Sequence, residues 1–322
     1  MARPHSAPDA YLLSKVSSLY YQRGQTQQEI ADRLHLSRPK VSRLLQEAQA
    51  LGIVQITVSP PQGLHVELEA RLEERYRLTE AQVVHVDPGQ PRELLTRDLG
   101  AAAAAYLVRT VQPGESIGVA WGVTLGAMVQ AMSPLRVEGL RVVQVLGGIG
   151  PAEAEAHVAG LAWRLAQLLG ASASLLSAPA VVGTPAAREV LRSDPQVDAV
   201  LQQLDSLDAV YVGVGSLRSN PVLNNARYLP RGLYAELKSA GAMGDIALHF
   251  FGAQGEFVRT SLDDRILGIS ADQLRAARRV VAVAGGPEKE EALAAALKTD
   301  TIDVLITDQL TADALTAGGR AG

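Results

Sequence analysis

Three features of this 322-residue chain predict an α/β protein in two parts, a small helical head and a large body built on a parallel sheet. Residues 26–45 read as two short amphipathic helices meeting at a tight turn. A Ser-Pro-Pro-Gln-Gly break follows at residues 59–63, where paired prolines and a glycine separate one unit from the next. Beyond it, apolar β-rich runs alternate with helical stretches, the pattern of a parallel sheet covered on both faces. The boundaries read from these features are 1–58 for the head, 59–63 for the linker and 64–322 for the body.

The head opens with Leu12, Leu13, Val16, Leu19 and Tyr20, which suggest a supporting first helix. Thr26 and Glu29 form a T-x-x-E capping box, so a second helix starts just after Thr26, with Ile30, Ala31 and Leu34 as its apolar stripe. Ser37 can cap a third helix, with Pro39 in the first turn, where a missing N–H costs little. Val41, Leu44 and Leu45 then face inward, leaving Arg38, Lys40, Ser42 and Arg43 outward. Arginine can bond a guanine edge in two places, and lysine and serine reach bases or phosphates. This is the side-chain set of a helix that reads the major groove. Gly52 and the alternation Ile53–Val58 read as a helix stop and a short strand, the wing of a winged helix-turn-helix. Thr26, Gln27, Ser37, Arg38, Lys40, Ser42 and Arg43 are the candidate contacts to double-stranded DNA. A plain helical hairpin with a solvated charged face would explain the basic residues, but not the first helix, the caps and the wing together.

The chain is 47% hydrophobic and 20% charged, a globular balance. It has no cysteine, which excludes disulfides and thiolate metal sites. The start, Met-Ala-Arg-Pro-His-Ser, leads into no apolar signal core, and no stretch approaches membrane-spanning length. The expectation is a cytoplasmic protein with no membrane partner, no metal and no cofactor. The net charge of −4 conceals an asymmetry. Residues 1–58 carry seven Lys and Arg against four Asp and Glu, and the remainder 23 against 30. A basic module on an acidic body suits nucleic-acid binding. Its excess of three charges is modest, so the reading calls for two or more heads in a homo-oligomer.

The body begins with Leu64, Leu68, Leu72 and Tyr76, an amphipathic helix read as packing on its own body. Strand candidates follow at 82–86, 116–120, 141–146, 173–176, 209–214, 246–250, 280–284 and 304–307. Helices are expected at 93–109, 125–132, 159–169 and 289–297. The architecture is Rossmann-like, and ligands in such sheets sit beyond the carboxyl ends of the strands. Several loops there are rich in glycine. Gly118–Gly126 follows a strand and opens a helix, where backbone N–H groups and the Thr124 hydroxyl can hold an anion. Gly147-Gly148-Ile149-Gly150 and Gly213–Ser216 end two more strands, and Thr307-Asp308 a third. Ala284-Gly285-Gly286-Pro287-Glu288-Lys289 ends another, with Lys289 able to place a point charge on a phosphate. Together these loops suit a phosphorylated small molecule.

The chain resembles the SorC-type sugar-responsive transcriptional regulators. The head carries Ser37-Arg38, Val41-Ser42-Arg43-Leu44-Leu45 and Gly52-Ile53-Val54. The body carries Trp121-Gly122, Leu146-Gly147-Gly148, Gly213–Ser216, Gly241–Ile246, Asp264-Arg265, Ala284-Gly285-Gly286 with Lys289, and Thr307-Asp308. The resemblance spans almost the whole chain in order. It implies a sugar-phosphate-isomerase-type effector domain that binds a phosphosugar, and assembly as a dimer or tetramer. It also implies a pocket that includes Gly122, Val123, Thr124, Gly147, Gly148, Asp245, Arg265, Gly285 and Lys289. Three positions depart from the pattern. Val158–Ala162 lacks the Asn and Glu that relatives carry there, Val123 replaces a polar residue or glycine, and Leu146 stands where deoxyribose-phosphate-sensing relatives place a Schiff-base lysine.

The competing class is a sugar-phosphate isomerase-like enzyme, with Asp245, His249, Asp263 and Asp264 as acid and base. The plainer reading makes Asp245 a strand-end binding residue, His249 a core histidine and the Asp pair a solvated turn. Fold similarity does not carry chemistry by itself, so the chain is read as a regulator and not an enzyme.

Overall fold

A computed structural model of the chain describes residues 10–55, 63–148, 152–218 and 232–317, with the backbone alone for 152–159. It divides into two units, Met1–Pro60 and Pro61–Gly322. In the first, α1 (Ala10–Ser17) continues through a π-helical stretch, Ser18–Gln22, before α2 (Gln27–Leu34) and α3 (Arg38–Ala50). They share a core of Leu13, Val16, Leu19, Ile30, Ala31, Val41, Leu44, Leu45 and Ala48. On α3 the buried positions 41, 44, 45 and 48 form one helical stripe, which turns the basic face to solvent.

The capping box forms at Thr26, whose N–H donates to the Glu29 carboxylate at 2.8 Å while its Oγ1 accepts the Glu29 N–H at 3.3 Å. Ser37 occupies the N-cap of α3, but its side chain makes no capping bond. Residues 51–55 form a turn and bends, not the start of a strand, because the Val54 N–H is committed to the Ala48 carbonyl at the helix end. The remainder of the expected wing, 56–58, and linker residues 59–62 lie outside the described residues.

The second unit begins with α4 (Val66–Tyr76), β1 (Glu80–Val84), α5 (Arg92–Thr110), β2 (Ser116–Val119), α6 (Val123–Ala131) and β3 (Arg141–Gln144). Next come α7 (Ala152–Leu169), β4 (Ser172–Ser174), α8 (Pro185–Arg192), α9 (Pro195–Leu201), β5 (Ala209–Val212) and β6 (Val214–Ser216). It continues through α10 (Leu233–Ser239), β7 (Ala242–Ile246), β8 (His249–Gly252), α11 (Ala271–Ala276) and β9 (Val280–Val283). The last elements are α12 (Glu290–Ala296), β10 (Val304–Asp308) and α13 (Gln309–Ala317). Seven strands form one sheet in the order β1-β10-β9-β5-β2-β3-β4, every neighbouring pair parallel. Strands β2, β5, β9 and β10 are buried along their whole length, as a sheet covered on both faces requires. From β2 the chain proceeds to β3 and β4 on one side; from β5 it proceeds to β9 and β10 on the other. The order reverses between β2 and β5, and a crevice beyond the carboxyl ends belongs at such a point.

Helix α4 runs along the free edge of β1. The outward N–H groups of Ala81 and Val83 donate to the carboxylates of Glu73 and Glu69, each at 2.9 Å. An edge strand left bare would offer those amides to another chain. Arg75 and Tyr76 bond the Thr316 and Leu315 carbonyls of α13, while Leu68 and Leu72 join the body's core.

Two strands differ from expectation. The run 209–214 breaks at Gly213, and β6 joins a separate antiparallel sheet, β6-β7-β8. The run 246–250 straddles the end of β7 and the start of β8, with Ala247 and Leu248 forming the turn between them, both left-handed at φ 51° and 66°. Such turns favour glycine or asparagine. Here the Asp245 carboxylate holds the turn by accepting the Leu248 N–H at 3.1 Å.

Candidate functional site

The head presents Thr26, Ser37, Arg38, Lys40 and Arg43 exposed, with Gln27 and Ser42 half-buried. Arg43 Nε donates to the Pro39 carbonyl at 3.4 Å, which leans the guanidinium along the start of α3. Thr26 is occupied, since its Oγ1 donates to Glu29 at 3.0 Å while accepting the Glu29 N–H. A cleft of about 520 Å³ separates the starts of α2 and α3, with Tyr20, Gln25, Thr26 and Arg38 on its walls. Gln25 Oε1 is buried there without a partner among the described residues. Arg38, Lys40 and Arg43 are thus all exposed within the first two turns of α3, at the helix start where major-groove readers make contact.

In the body, the loops after β2, β3, β5, β9 and β10 share the carboxyl edge because all five strands are parallel. Helix α6 starts at Gly122, which has no side chain to cap it. The first helical bond is Gly126 N–H to Gly122, so the amides of Val123, Thr124 and Leu125 keep no intrahelical acceptor. This uncapped start lies beside the β2–β5 crossover. Val123 is 76% exposed and Thr124 half-buried.

Lys289 closes a 3-10 turn after β9, its N–H bonded to Gly286. Burial pushes its ammonium below the ordinary lysine range; Arg92 adds to the depression, and Glu288 and Asp245 oppose it. Asp245, on β7, is therefore near enough for its field to reach Lys289. Arg92 pairs with Glu288 at 3.2 Å. The loop is tied down by buried Asp308, whose carboxylate accepts the Gly286 N–H at 2.8 Å and the Thr311 hydroxyl at 2.6 Å. Gly285 is required at its position because a Cβ there would run into that carboxylate.

Gly147 and Gly148, two of the expected pocket residues, have backbone amides that are already bonded within the protein. Their N–H groups are committed to the Leu267 and Ala178 carbonyls, at 3.1 and 2.9 Å. A Cβ on Gly147 would strike the Ala178 carbonyl, so these glycines permit close packing of three loop segments. Arg265 lies in one of them with its Nε buried and unpartnered among the described residues. The same holds for Trp121 Nε1 after β2, Gln144 Oε1 at the end of β3, and Thr307 Oγ1 near the end of β10. Gln144 was missed from sequence; its signal is a lone amide inside the apolar run Val142–Leu146.

The proposed acid–base set is committed elsewhere. His249 Nε2–H donates to the Ile269 carbonyl at 2.8 Å, and burial lowers its pKa. Asp263 accepts the Thr260 N–H and hydroxyl at 2.7 and 2.9 Å, and Asp264 pairs with Arg259 at 3.7 Å. These are structural bonds.

An exposed basic helix on a three-helix head, joined to a parallel-sheet body with a polar carboxyl edge, defines a ligand-responsive DNA-binding regulator. Residues 61–317 match the family described as "Putative sugar-binding domain", and residues 17–63 match the MarR family. The chain belongs to the SorC-type sugar-binding transcriptional regulators. It is 35% identical over 301 residues to the deoxyribonucleoside regulator of Bacillus subtilis (strain 168), covering 94% of this chain and 96% of that one. It is 32% identical over 311 residues to the transcriptional regulator LsrR of Enterobacter sp. (strain 638), covering 95% and 93%. The crystal structure of the full-length sorbitol operon regulator SorC from Klebsiella pneumoniae matches with a TM-score of 0.74 at 28% identity, covering 96% of this chain and 100% of that one. The chain is a transcriptional regulator, not an enzyme.

Proposed function

We propose that this regulator binds a phosphorylated sugar at the carboxyl edge of its sheet, and that the occupied site changes the affinity of its head for operator DNA. The observation that carries the reading is the uncapped start of α6 beside the β2–β5 crossover, with three amide donors free of intrahelical partners. Lys289 adds a half-buried positive charge, Arg265 and Gln144 offer polar atoms for hydroxyl groups, and the Asp245 carboxylate acts on Lys289 through its field. Leu146 fills the place of a Schiff-base lysine, so capture is non-covalent. Relatives named for deoxyribonucleosides and for the sorbitol operon support a sugar-related effector.

A net charge of +3 on residues 1–58 gives one head little hold on phosphates, so a homodimer or tetramer presents two heads to a palindromic site. The site of action is the cytoplasm. Among the described residues no helix is long and apolar enough to cross a membrane. The test is a thermal-shift panel of sugar phosphates and the matching free sugars. At least one sugar phosphate should raise the melting temperature where its free sugar does not. A panel in which free sugars alone stabilise the protein contradicts the anion-binding part of the proposal.

A further inference from the structure

His65 stands at the N-cap of α4, and its carbonyl accepts the first two helical N–H groups, from Leu68 and Glu69, both at 2.9 Å. Its ring makes no capping bond. Instead its Nε2 lies 3.3 Å from Nδ1 of His85, the residue after β1. The two ring planes are within 16° of each other and the centroids are 5.5 Å apart. That separation exceeds the N···N distance by nearly two ring radii, close to the most that two rings touching through these nitrogens allow. The rings therefore meet end to end in one plane, not face to face. The two nitrogens point at each other, which is the geometry of an N–H···N hydrogen bond and not of two ligands converging on a metal.

The same His85 Nδ1 lies 3.0 Å from Oε1 of Gln309, the first residue of α13. One ring nitrogen cannot both donate to Gln309 and accept from His65, so the contacts compete for a single proton. Gln309 follows Asp308, the carboxylate that ties down the Gly286 loop. His85 Nδ1 thus brings the start of α4 beside the carboxyl edge of the sheet, bonded to one neighbour or the other at a time. Charged groups on the surrounding elements are Glu67 and Glu69 on α4, Asp87 beyond β1 and Asp308 at the end of β10. Two of these are occupied, Glu69 by the Val83 N–H and Asp308 by Gly286 and Thr311.

We propose that His65, His85 and Gln309 form a proton-operated strap: one shared proton fastens the first turn of α4 to the sheet edge, and a second proton on the histidine pair releases it. Two imidazolium rings placed end to end set N–H against N–H, with neither nitrogen able to accept. The strap sits at the start of α4, the first helix of the second unit. The proposal does not rest on the identity of any effector.

The test uses the intact chain between about pH 8 and about pH 5, the range in which histidines change charge. Imidazole NMR follows the two histidines, and amide hydrogen exchange gives protection factors for Leu68 and Glu69, corrected for the intrinsic pH dependence of exchange. In wild type, protection at both amides should fall about tenfold or more between those pH values. In His85→Gln and His65→Gln the pair cannot take the second proton, and that fall should vanish. Protection independent of pH in wild type, or a wild-type fall that persists in both variants, would overturn the proposal. The wild-type protection profile tests it even if a variant folds poorly.

Discussion

Lys289 is a residue held at a cost to the free protein. Burial depresses its pKa, so the unfolded chain binds the proton more tightly than the folded one, and the free protein gains stability as pH rises through the depressed value toward 10.5. Lys289→Met removes the buried ammonium and should raise the melting temperature without ligand while abolishing the shift caused by a sugar phosphate. A phosphate beside Lys289 would favour the charged form and lift its pKa again. Sugar-phosphate affinity should then be full below the free protein's depressed value and decline as pH rises through the bound value. Calorimetry in two buffers of different ionisation enthalpy, carried up in pH toward 10.5, checks this, since binding between the free and bound values should take up protons. Proton-neutral binding would remove Lys289 from the site. On the head, Arg38→Ala or Arg43→Ala should each weaken operator binding by about 1–3 kcal/mol, as loss of a base contact does, and leave the sugar-phosphate thermal shift intact. A shift lost together with DNA binding would mean that the variants damage the fold.

Most elements were legible because their causes are local. The T-x-x-E box set the start of α2, the 41, 44, 45, 48 stripe oriented α3, and Val-rich runs marked β2, β3, β5, β9 and β10. The hairpin β7–β8 was hidden because its turn is Ala247-Leu248, two buried apolar residues that read as strand, and because Asp245 supplies what glycine usually does. In the site, the glycine loops announced the edge, but not which amides remain available. The Gly148 and Gly147 amides are spent on Ala178 and Leu267, 30 and 120 residues away, and no local pattern records that. The role of α4 was half visible: its leucine face reads as packing, whereas Glu69 and Glu73 look like solvated acids until they are seen against β1. Each shields one edge amide, so Glu69→Ala or Glu73→Ala should cost about 1 kcal/mol by chemical denaturation, the net value of a typical hydrogen bond. The double variant should also self-associate through the bared edge. Unchanged stability and association would mean that water replaces both carboxylates without loss.

For the whole molecule, two functions are joined in one chain, and thermodynamics ties them together. If a sugar phosphate changes DNA affinity by some factor, DNA changes sugar-phosphate affinity by the same factor. Couplings of this kind are about 1–3 kcal/mol, or roughly 5–150-fold. The direct measurement is fluorescence anisotropy of a labelled operator fragment, titrated with intact protein in the absence and presence of the most stabilising sugar phosphate, alongside the reciprocal calorimetric titration. The account predicts that the sugar phosphate shifts the operator Kd within that range, that the reciprocal factor matches, and that Lys289→Met abolishes both shifts while retaining operator binding. An operator Kd unmoved by a saturating sugar phosphate, or a shift that survives in Lys289→Met, would contradict it.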